Sequence, residues 1–136
     1  MTYILDACAL FALIADEQGG DIVNGLLEKA ESGDVTLCMS RINLLEVYYC
    51  HIRSLGLDRA DEIVESVYAS PIQVIGGIEE PVFREAAILK SRYRVSLADS
   101  VALAFAKALD YTIVTADHHE MDIVDQNEPI NFLWVR

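Results

Sequence analysis

The sequence predicts an α/β domain in which helices cover a mainly parallel β-sheet. Short apolar segments rich in β-branched residues alternate with longer helical segments, and this alternation is typical of parallel α/β folds. The apolar segments are continuous, as in strands that are covered on both faces. With 136 residues, of which 53% are hydrophobic, the chain is expected to form one domain with its own core.

Each element is assigned from its apolar pattern and its flanking residues. Strands are predicted over Tyr3–Leu5, Val35–Met39, Ile72–Ile75, Thr112–Thr115 and Phe132–Val135. Helices are predicted over about Ala7–Ala15, Ile22–Ser32, Arg41–Arg53, Arg59–Ala69, Pro81–Tyr93 and Ser96–Leu109. Asp21, Ser40 and Asp58 are suitable N-caps for three of these helices, and Pro81 suits the first turn of a fourth.

The charge balance excludes one mode of ligand binding. Lys and Arg number 10 against 22 Asp and Glu, so the net charge is −12. Bulk electrostatic attraction of nucleic acid requires a positive surface and is therefore excluded. A nucleic-acid ligand would need a local basic patch, a bound cation, or both. The densest basic segment contains Arg84, Lys90, Arg92 and Arg94, and it is either a phosphate-guiding rim or a solvated helix face.

Two aspartates follow predicted strands. Asp6 comes directly after the first strand, and Asp117 comes after Thr112–Thr115 with one residue between. In open α/β sheets, ligands bind outside the carboxyl ends of the strands, so these two carboxylates are candidates for one crevice. The alternative for each is an ordinary helix-cap or turn aspartate.

Two further acids lie on apolar helices. Asp99 precedes the segment 101–106, which is apolar on every side and is therefore expected to be buried. An unpaired carboxylate near a core costs several kcal/mol; the alternative is a capping box in which Asp99 contacts the backbone of Ser96. Glu46 has no stripe of charge beside it, because its helical neighbours are Ile42, Asn43, Tyr49 and Cys50.

Four carboxylates in one cleft repel one another, so they either take up protons or bind a divalent cation. Carboxylate oxygens are hard ligands that suit Mg²⁺ or Mn²⁺. Such an ion activates water and neutralises charge on a phosphodiester in the transition state. The hypothesis requires Asp6, Glu46, Asp99 and Asp117 to converge in the folded chain.

These acids occur in an order that resembles PIN-domain proteins of the VapC type, which are toxins of toxin–antitoxin pairs. The matching motifs are Tyr3-Ile4-Leu5-Asp6-Ala7-Cys8-Ala9-Leu10, Asn43-Leu44-Leu45-Glu46-Val47, Ser96-Leu97-Ala98-Asp99-Ser100-Val101-Ala102-Leu103-Ala104 and Ile113-Val114-Thr115-Ala116-Asp117. The resemblance covers nearly the whole chain. It implies a single three-layer α/β/α PIN-like domain over residues 1–136 and a metal-dependent endoribonuclease that hydrolyses RNA.

The resemblance also implies a role for each acid. Asp6, Asp99 and Asp117 would hold one or two Mg²⁺ or Mn²⁺ ions, and Glu46 would ligate through water or orient the attacking water. The implied partners are an RNA substrate, a cognate antitoxin protein and a second copy of the chain in a homodimer. A cytoplasmic location and no association with membranes are expected.

Several neighbouring residues are candidates for supporting roles. Thr115 is expected to hydrogen-bond to a ligand carboxylate, and either Glu120 or Asp122 is expected to supply a further acid. Arg84, Arg92 and Arg94 are candidates for guiding the substrate phosphates. His118 and His119 are expected to be surface or turn residues.

Two other functions are weighed against the ribonuclease. Many relatives carry Ser or Thr after the first aspartate, where this chain has Ala7 and Cys8; this departure points to a catalytically inactive PIN-like module that binds protein or RNA, whereas the presence of all four acids speaks against it. Phosphoryl transfer through an aspartyl-phosphate at Asp6 is disfavoured, because no second acid accompanies Asp6. Cys8 is expected to be a packed apolar residue rather than a nucleophile, since no histidine is marked as its partner.

Overall fold

The computed structural model describes residues 1–136 and contains one sheet and seven helices. The strands are β1 (Thr2–Leu5), β2 (Thr36–Ser40), β3 (Gln73–Ile75), β4 (Thr112–Thr115) and β5 (Asn131–Trp134). The helices are α1 (Ala7–Ile14), α2 (Gly20–Glu31), α3 (Arg41–Leu55), α4 (Leu57–Ala69), α5 (Val82–Arg92), α6 (Leu97–Leu109) and α7 (His118–Asn127). None of these helices combines the length and the apolar character that crossing a membrane requires.

All five strands are parallel, in the order β3-β2-β1-β4-β5. The order reverses beside the central strand β1, and in open α/β sheets such a switch point forms the ligand-binding crevice. Leu5 of β1 lies opposite Val114 of β4, and the N–H of Asp6 donates to the carbonyl of Val114 at 3.2 Å. The chain segments that leave β1 and β4 therefore start side by side at the same edge of the sheet.

Two hydrophobic cores lie on opposite faces of this sheet. Successive side chains of a strand point to opposite faces, so Ile4 and Ile113 belong to the core that contains residues of α5, α6 and α7. Leu5 and Val114 belong to the other core, which contains residues of α1, α2, α3 and α4. The architecture is thus the three-layer α/β/α arrangement with a parallel sheet that the sequence predicts.

Helix α6 is enclosed by the rest of the protein. Every residue from Asp99 to Ala106 is buried, as expected for a helix that is apolar on every side. Ser96 caps the helix, since its hydroxyl accepts from the N–H of Asp99 at 3.1 Å. Asp99 in the first turn of α6 is therefore buried, although Leu97 at the start of the same turn is exposed.

The structure differs from the expected elements at three places. The segment His118–Asn127 forms α7, a helix that the apolar pattern does not predict because only Met121 and Val124 in it are buried. Helices α2 and α4 begin before their expected caps, and Gly19 and Gly56 occupy the N-cap positions with φ of 97° and 88°. Glycine adopts positive φ without steric cost, which explains these caps. Asp21 and Asp58 lie in the first turns, where negative charge is favourable.

A largely buried ion-pair network joins α5, α6 and the segment between α7 and β5. The ammonium of Lys107 lies 2.6 Å from a carboxylate oxygen of Glu85 and 2.9 Å from one of Glu128. The side chain of Glu128 is 6% exposed and also accepts a hydrogen bond of 3.0 Å from the hydroxyl of Tyr93. The hydrogen bond from Lys107 lowers the pKa of the Glu128 carboxyl, so the two side chains stabilise each other's charge.

We expect Lys107→Met to lower the free energy of unfolding at pH 7 by about 1–3 kcal/mol, because it leaves the buried Glu128 with only the exposed and more distant Arg92 as a cation. Chemical denaturation followed by circular dichroism measures this change. Lys90→Met on the exposed side of α5 is the matched control, and it should change stability by less than about 0.5 kcal/mol. Equal losses in the two variants would contradict the role given to the network.

Candidate active site

Asp6 is buried at the carboxyl end of β1, where it caps α1. Its Oδ1 accepts from the N–H of Ala9 at 2.8 Å, and its Oδ2 accepts from the hydroxyl of Thr115. The residue is 1% exposed. Burial raises the pKa of this carboxyl to about 7, and the charges of Asp117 and Glu46 act in the same direction against the two hydrogen bonds. The carboxylate is thus fixed in orientation but costly to ionise.

One hydroxyl connects the ends of the two central strands. Thr115 is the last residue of β4, and its Oγ1 donates to Asp6 and accepts from the N–H of Asp117 at 3.0 Å. Because a hydroxyl has one proton and two lone pairs, it serves both partners at once. The positions of Asp6 and Asp117 are therefore coupled through Thr115.

Three acids cluster at the mouth of the same crevice. Asp99, Asp117 and Glu120 each present a carboxylate oxygen, and these oxygens all lie within 4.8 Å of one another. Asp99 is 6% exposed. Its burial, its contact with Glu120 and the charge of Asp6 together raise the pKa of its carboxyl to about 9. Without a cation, the cluster therefore retains a proton that an isolated aspartate would lose.

Glu46 completes this group of acids from the second turn of α3. It lines a cleft of about 190 Å³, together with Ala7, Cys8, Phe11, Asp99, Asp117 and Glu120. Burial, followed by the charges of Glu120 and Asp117, raises the pKa of its carboxyl. No Lys or Arg forms an ion pair with Glu46, with the three clustered acids or with Asp6. No cationic side chain therefore neutralises the acids of this cleft.

Glu120, rather than Asp99, accepts the hydrogen bond from Ser96 that a capping box would use. The N–H of Ser96 donates to Oε1 of Glu120 at 3.1 Å, so the carboxylate of Asp99 does not serve that amide as a capping box would require. Glu120 itself is oriented by Asp117, whose Oδ1 accepts from its N–H at 3.2 Å. The sequence offered both Glu120 and Asp122 as a further acid, and Glu120 is the one that lines the cleft.

The remaining candidates lie outside the cleft lining. Oδ1 of Asp122 is 2.7 Å from Nδ1 of His118, and both side chains are about half exposed. Arg92 lies 3.7 Å from Glu128, while Arg84 and Arg94 are exposed and form no ion pair. None of the three arginines lines the cleft.

Cys8 lines the cleft but is a poor nucleophile. Burial and the charges of Asp6 and Asp117 raise the pKa of its thiol to about 11. Since the thiolate is the reactive form, the thiol is inert near neutral pH. The chemistry of this cleft is therefore carried by carboxylates.

Comparison with known proteins places this arrangement in a family. The family model described as PIN domain matches residues 3–126. The chain belongs to the PIN domain family. No curated protein sequence matches the chain closely enough to count as a relative.

Similar solved structures agree with this assignment. VapBC2 from Rickettsia felis, bound to a promoter DNA fragment, has a TM-score of 0.76 at 16% identity and covers 98% of each chain. DNA-bound VapBC from Salmonella typhimurium has a TM-score of 0.76 at 16% identity, over 100% of this chain and 99% of that one. VapC20 from Mycobacterium tuberculosis, a sarcin-ricin loop cleaving toxin, has a TM-score of 0.60 at 14% identity, over 86% and 91% of the two chains. These likenesses confirm the PIN-like fold, which the four sequence motifs indicated.

The raised pKa of Asp99 predicts how the stability of the metal-free protein depends on pH. A carboxyl whose pKa is raised from 3.8 to about 9 on folding contributes stability that is full below pH 4 and is lost as the pH rises towards 9. Asp99→Asn removes this carboxyl, so the fall in stability with rising pH that it causes should disappear. We therefore expect the melting temperature of Asp99→Asn near pH 8 to exceed that of the wild type by about 3 °C or more.

The measurement is thermal denaturation in EDTA between pH 5 and pH 9. The control is Asp16→Asn, because Asp16 is exposed with a φ of 52°, a conformation that asparagine adopts as readily as aspartate. If Asp99→Asn were less stable than Asp16→Asn at pH 8, the electrostatic cost assigned to the cluster would be wrong.

Proposed function

We propose that this PIN-domain protein is a metal-dependent endoribonuclease that hydrolyses RNA phosphodiester bonds, and that it is the toxin of a toxin–antitoxin pair. The observation that carries the proposal is the set of carboxylates of Glu46, Asp99, Asp117 and Glu120 around one cleft, with the buried Asp6 joined to Asp117 through Thr115, and without a Lys or Arg to neutralise them. A divalent cation bound among these carboxylates would offset the cost of ionising them together, and it would give the cluster a catalytic role.

The residues fit Mg²⁺ or Mn²⁺. Both ions prefer carboxylate and water oxygens to nitrogen or sulfur ligands, and Asp99, Asp117 and Glu120 offer three such oxygens within 4.8 Å of one another. Asp6 is the third proposed aspartate ligand; each of its oxygens accepts one hydrogen bond and keeps a second lone pair. A bound ion would neutralise charge on the phosphodiester and lower the pKa of a water molecule.

The side chains of this protein supply the remaining chemistry. We infer that Glu46, whose pKa is raised, orients the attacking water and accepts its proton. The water oxygen forms the new bond to phosphorus, the bond to the opposite ribose oxygen breaks in line, and the leaving oxygen takes up a proton. No covalent intermediate with the protein forms. Thr115 holds Asp6 in place and so acts as a positioning residue.

A protein partner is also part of the proposal. The similar structures from Rickettsia felis and Salmonella typhimurium are VapBC complexes, and this chain exposes large apolar side chains. Those on α3 and α4 include Leu45 and Tyr68, and those on the α5–α6 side include Phe83 and Leu97. Apolar patches of this kind mark protein interfaces, so we propose a cognate antitoxin and a homodimer, in the cytoplasm. Arg84 and Arg94, exposed on the α5–α6 side, remain candidates for guiding RNA.

Activity is tested on a labelled single-stranded RNA with Mg²⁺ or Mn²⁺. We expect cleavage that EDTA abolishes, and a loss of kcat of about 100-fold or more in Asp99→Asn and Asp117→Asn, because each substitution removes a charged oxygen that holds the ion. Asp16→Asn should cleave as the wild type does. Full activity in both cleft variants would overturn the proposal, and a folded wild type that binds neither ion would instead favour the inactive binding module.

The metal set is tested with a matched pair of acids on α7. We expect Glu120→Gln to weaken Mn²⁺ binding about tenfold or more, because Glu120 both belongs to the cluster and holds Ser96. Asp122→Asn should leave the affinity unchanged, since Asp122 contacts His118 instead. Isothermal titration calorimetry measures both variants, and equal effects would refute the assignment of Glu120 to the site.

A further inference from the structure

Three rings stack beside the cleft. Phe132 and Trp134 point to the same face of β5, with ring centroids 5.2 Å apart and planes 9° from parallel. His118, the first residue of α7, stacks on Trp134 at a centroid distance of 3.9 Å and an angle of 10°. Phe132 and Trp134 also pack against the core, so the stack extends from the protein interior to His118.

The ring of His118 is held in one orientation. Its Nδ1 lies 2.7 Å from Oδ1 of Asp122, and its Nε2 lies 2.7 Å from the main-chain oxygen of Arg136. The side chain is nevertheless 49% exposed. Since one face lies on Trp134 and both nitrogens are engaged, the opposite face of the ring is the part open to solvent. A flat surface that is already rigid loses little entropy when a ligand stacks on it.

This surface lies at the rim of the proposed active site. His118 follows Asp117 directly, so their Cα atoms are about 3.8 Å apart, and Asp117 lines the cleft. The main-chain oxygen of Arg136 fixes the ring there, while the guanidinium of Arg136 turns to the α1–α2 connection, where it donates to the carbonyl of Gln18 at 3.2 Å and lies 3.9 Å from Glu17. A fixed aromatic ring therefore lies beside an acidic cleft.

From this geometry we propose that an unpaired base of the RNA substrate stacks on the exposed face of His118. Aromatic side chains bind single-stranded bases in this way, with little dependence on sequence. Bases within a duplex are stacked on one another and offer no free face. The inference rests on the proposed ribonuclease function and adds to it a residue that binds one base of the substrate beside the scissile bond.

Two substitutions at position 118 separate stacking from structural support. His118→Gln keeps a polar group for Asp122 and Arg136 but removes the ring, whereas His118→Phe keeps a ring and loses both polar contacts. We expect His118→Gln to raise KM for a fluorogenic single-stranded oligoribonucleotide about tenfold, with kcat within about twofold. His118→Phe should restore KM to within about threefold of the wild type.

His119→Gln is the matched control, because His119 is an exposed histidine one position along α7, and it should behave as the wild type. If the wild type cleaves RNA but KM is unchanged in His118→Gln, the stacking proposal fails and the nuclease proposal survives. If both substitutions at 118 lower the melting temperature and affect KM equally, His118 is a structural support and the stacking proposal is again overturned.

A binding experiment tests the stacking surface without cleavage. In the Asp99→Asn background with Mn²⁺, fluorescence anisotropy of a labelled single-stranded oligoribonucleotide gives its Kd. Adding His118→Gln should weaken binding about tenfold, and adding His118→Phe should not. Loss of cleavage in the wild type, with this binding pattern intact, would overturn the nuclease alone. Absence of RNA binding, or equal Kd in all three proteins, would overturn the stacking surface.

Discussion

The structure is organised around a site where burial and neighbouring acids make five carboxyl groups costly to ionise together. Asp6 and Asp99 are almost fully buried, and neighbouring acids add to the cost of ionising them. Ordinary folding does not concentrate charge in this way, because an unpaired carboxylate in a low-dielectric site is expensive. The rest of the structure must therefore supply enough stability to hold these groups together, and the proposed divalent cation would offset part of that cost.

The parallel sheet provides that stability at the right place. Its two faces are covered by separate cores, so the ends of β1 and β4 are fixed from both sides. Thr115 then joins Asp6 to Asp117 across the switch point, and enclosed α6 carries Asp99 to the same edge. Because each acid lies in a helix or at the N-cap of one, the separation between charges is maintained even though the charges oppose it.

Local sequence predicts the fold and proposes several residues of the candidate site. Asp6 and Asp117 were identified because they follow buried strands, and Asp99 because an apolar helix follows it. The contact from Ser96 to Glu120 spans 24 residues, and no local pattern indicates it, so Glu120 and Asp122 were indistinguishable in sequence. Local sequence also does not predict helix α7. Only Met121 and Val124 in it are buried, so too few apolar residues recur at helical spacing to indicate a helix.

The net charge of −12 constrains how RNA can bind. Long-range electrostatics oppose the approach of a polyanion, so affinity cannot come from phosphate contacts spread over the surface. Short-range contributions must provide it, and the two proposed here lie on adjoining elements. A cation held by Asp99, Asp117 and Glu120 would act on one phosphate, and the ring of His118 would act on a base without regard to net charge. An acidic nuclease built in this way would bind strongly only where an unpaired base and a cleavable phosphate occur together, which makes substrate shape the basis of its selectivity.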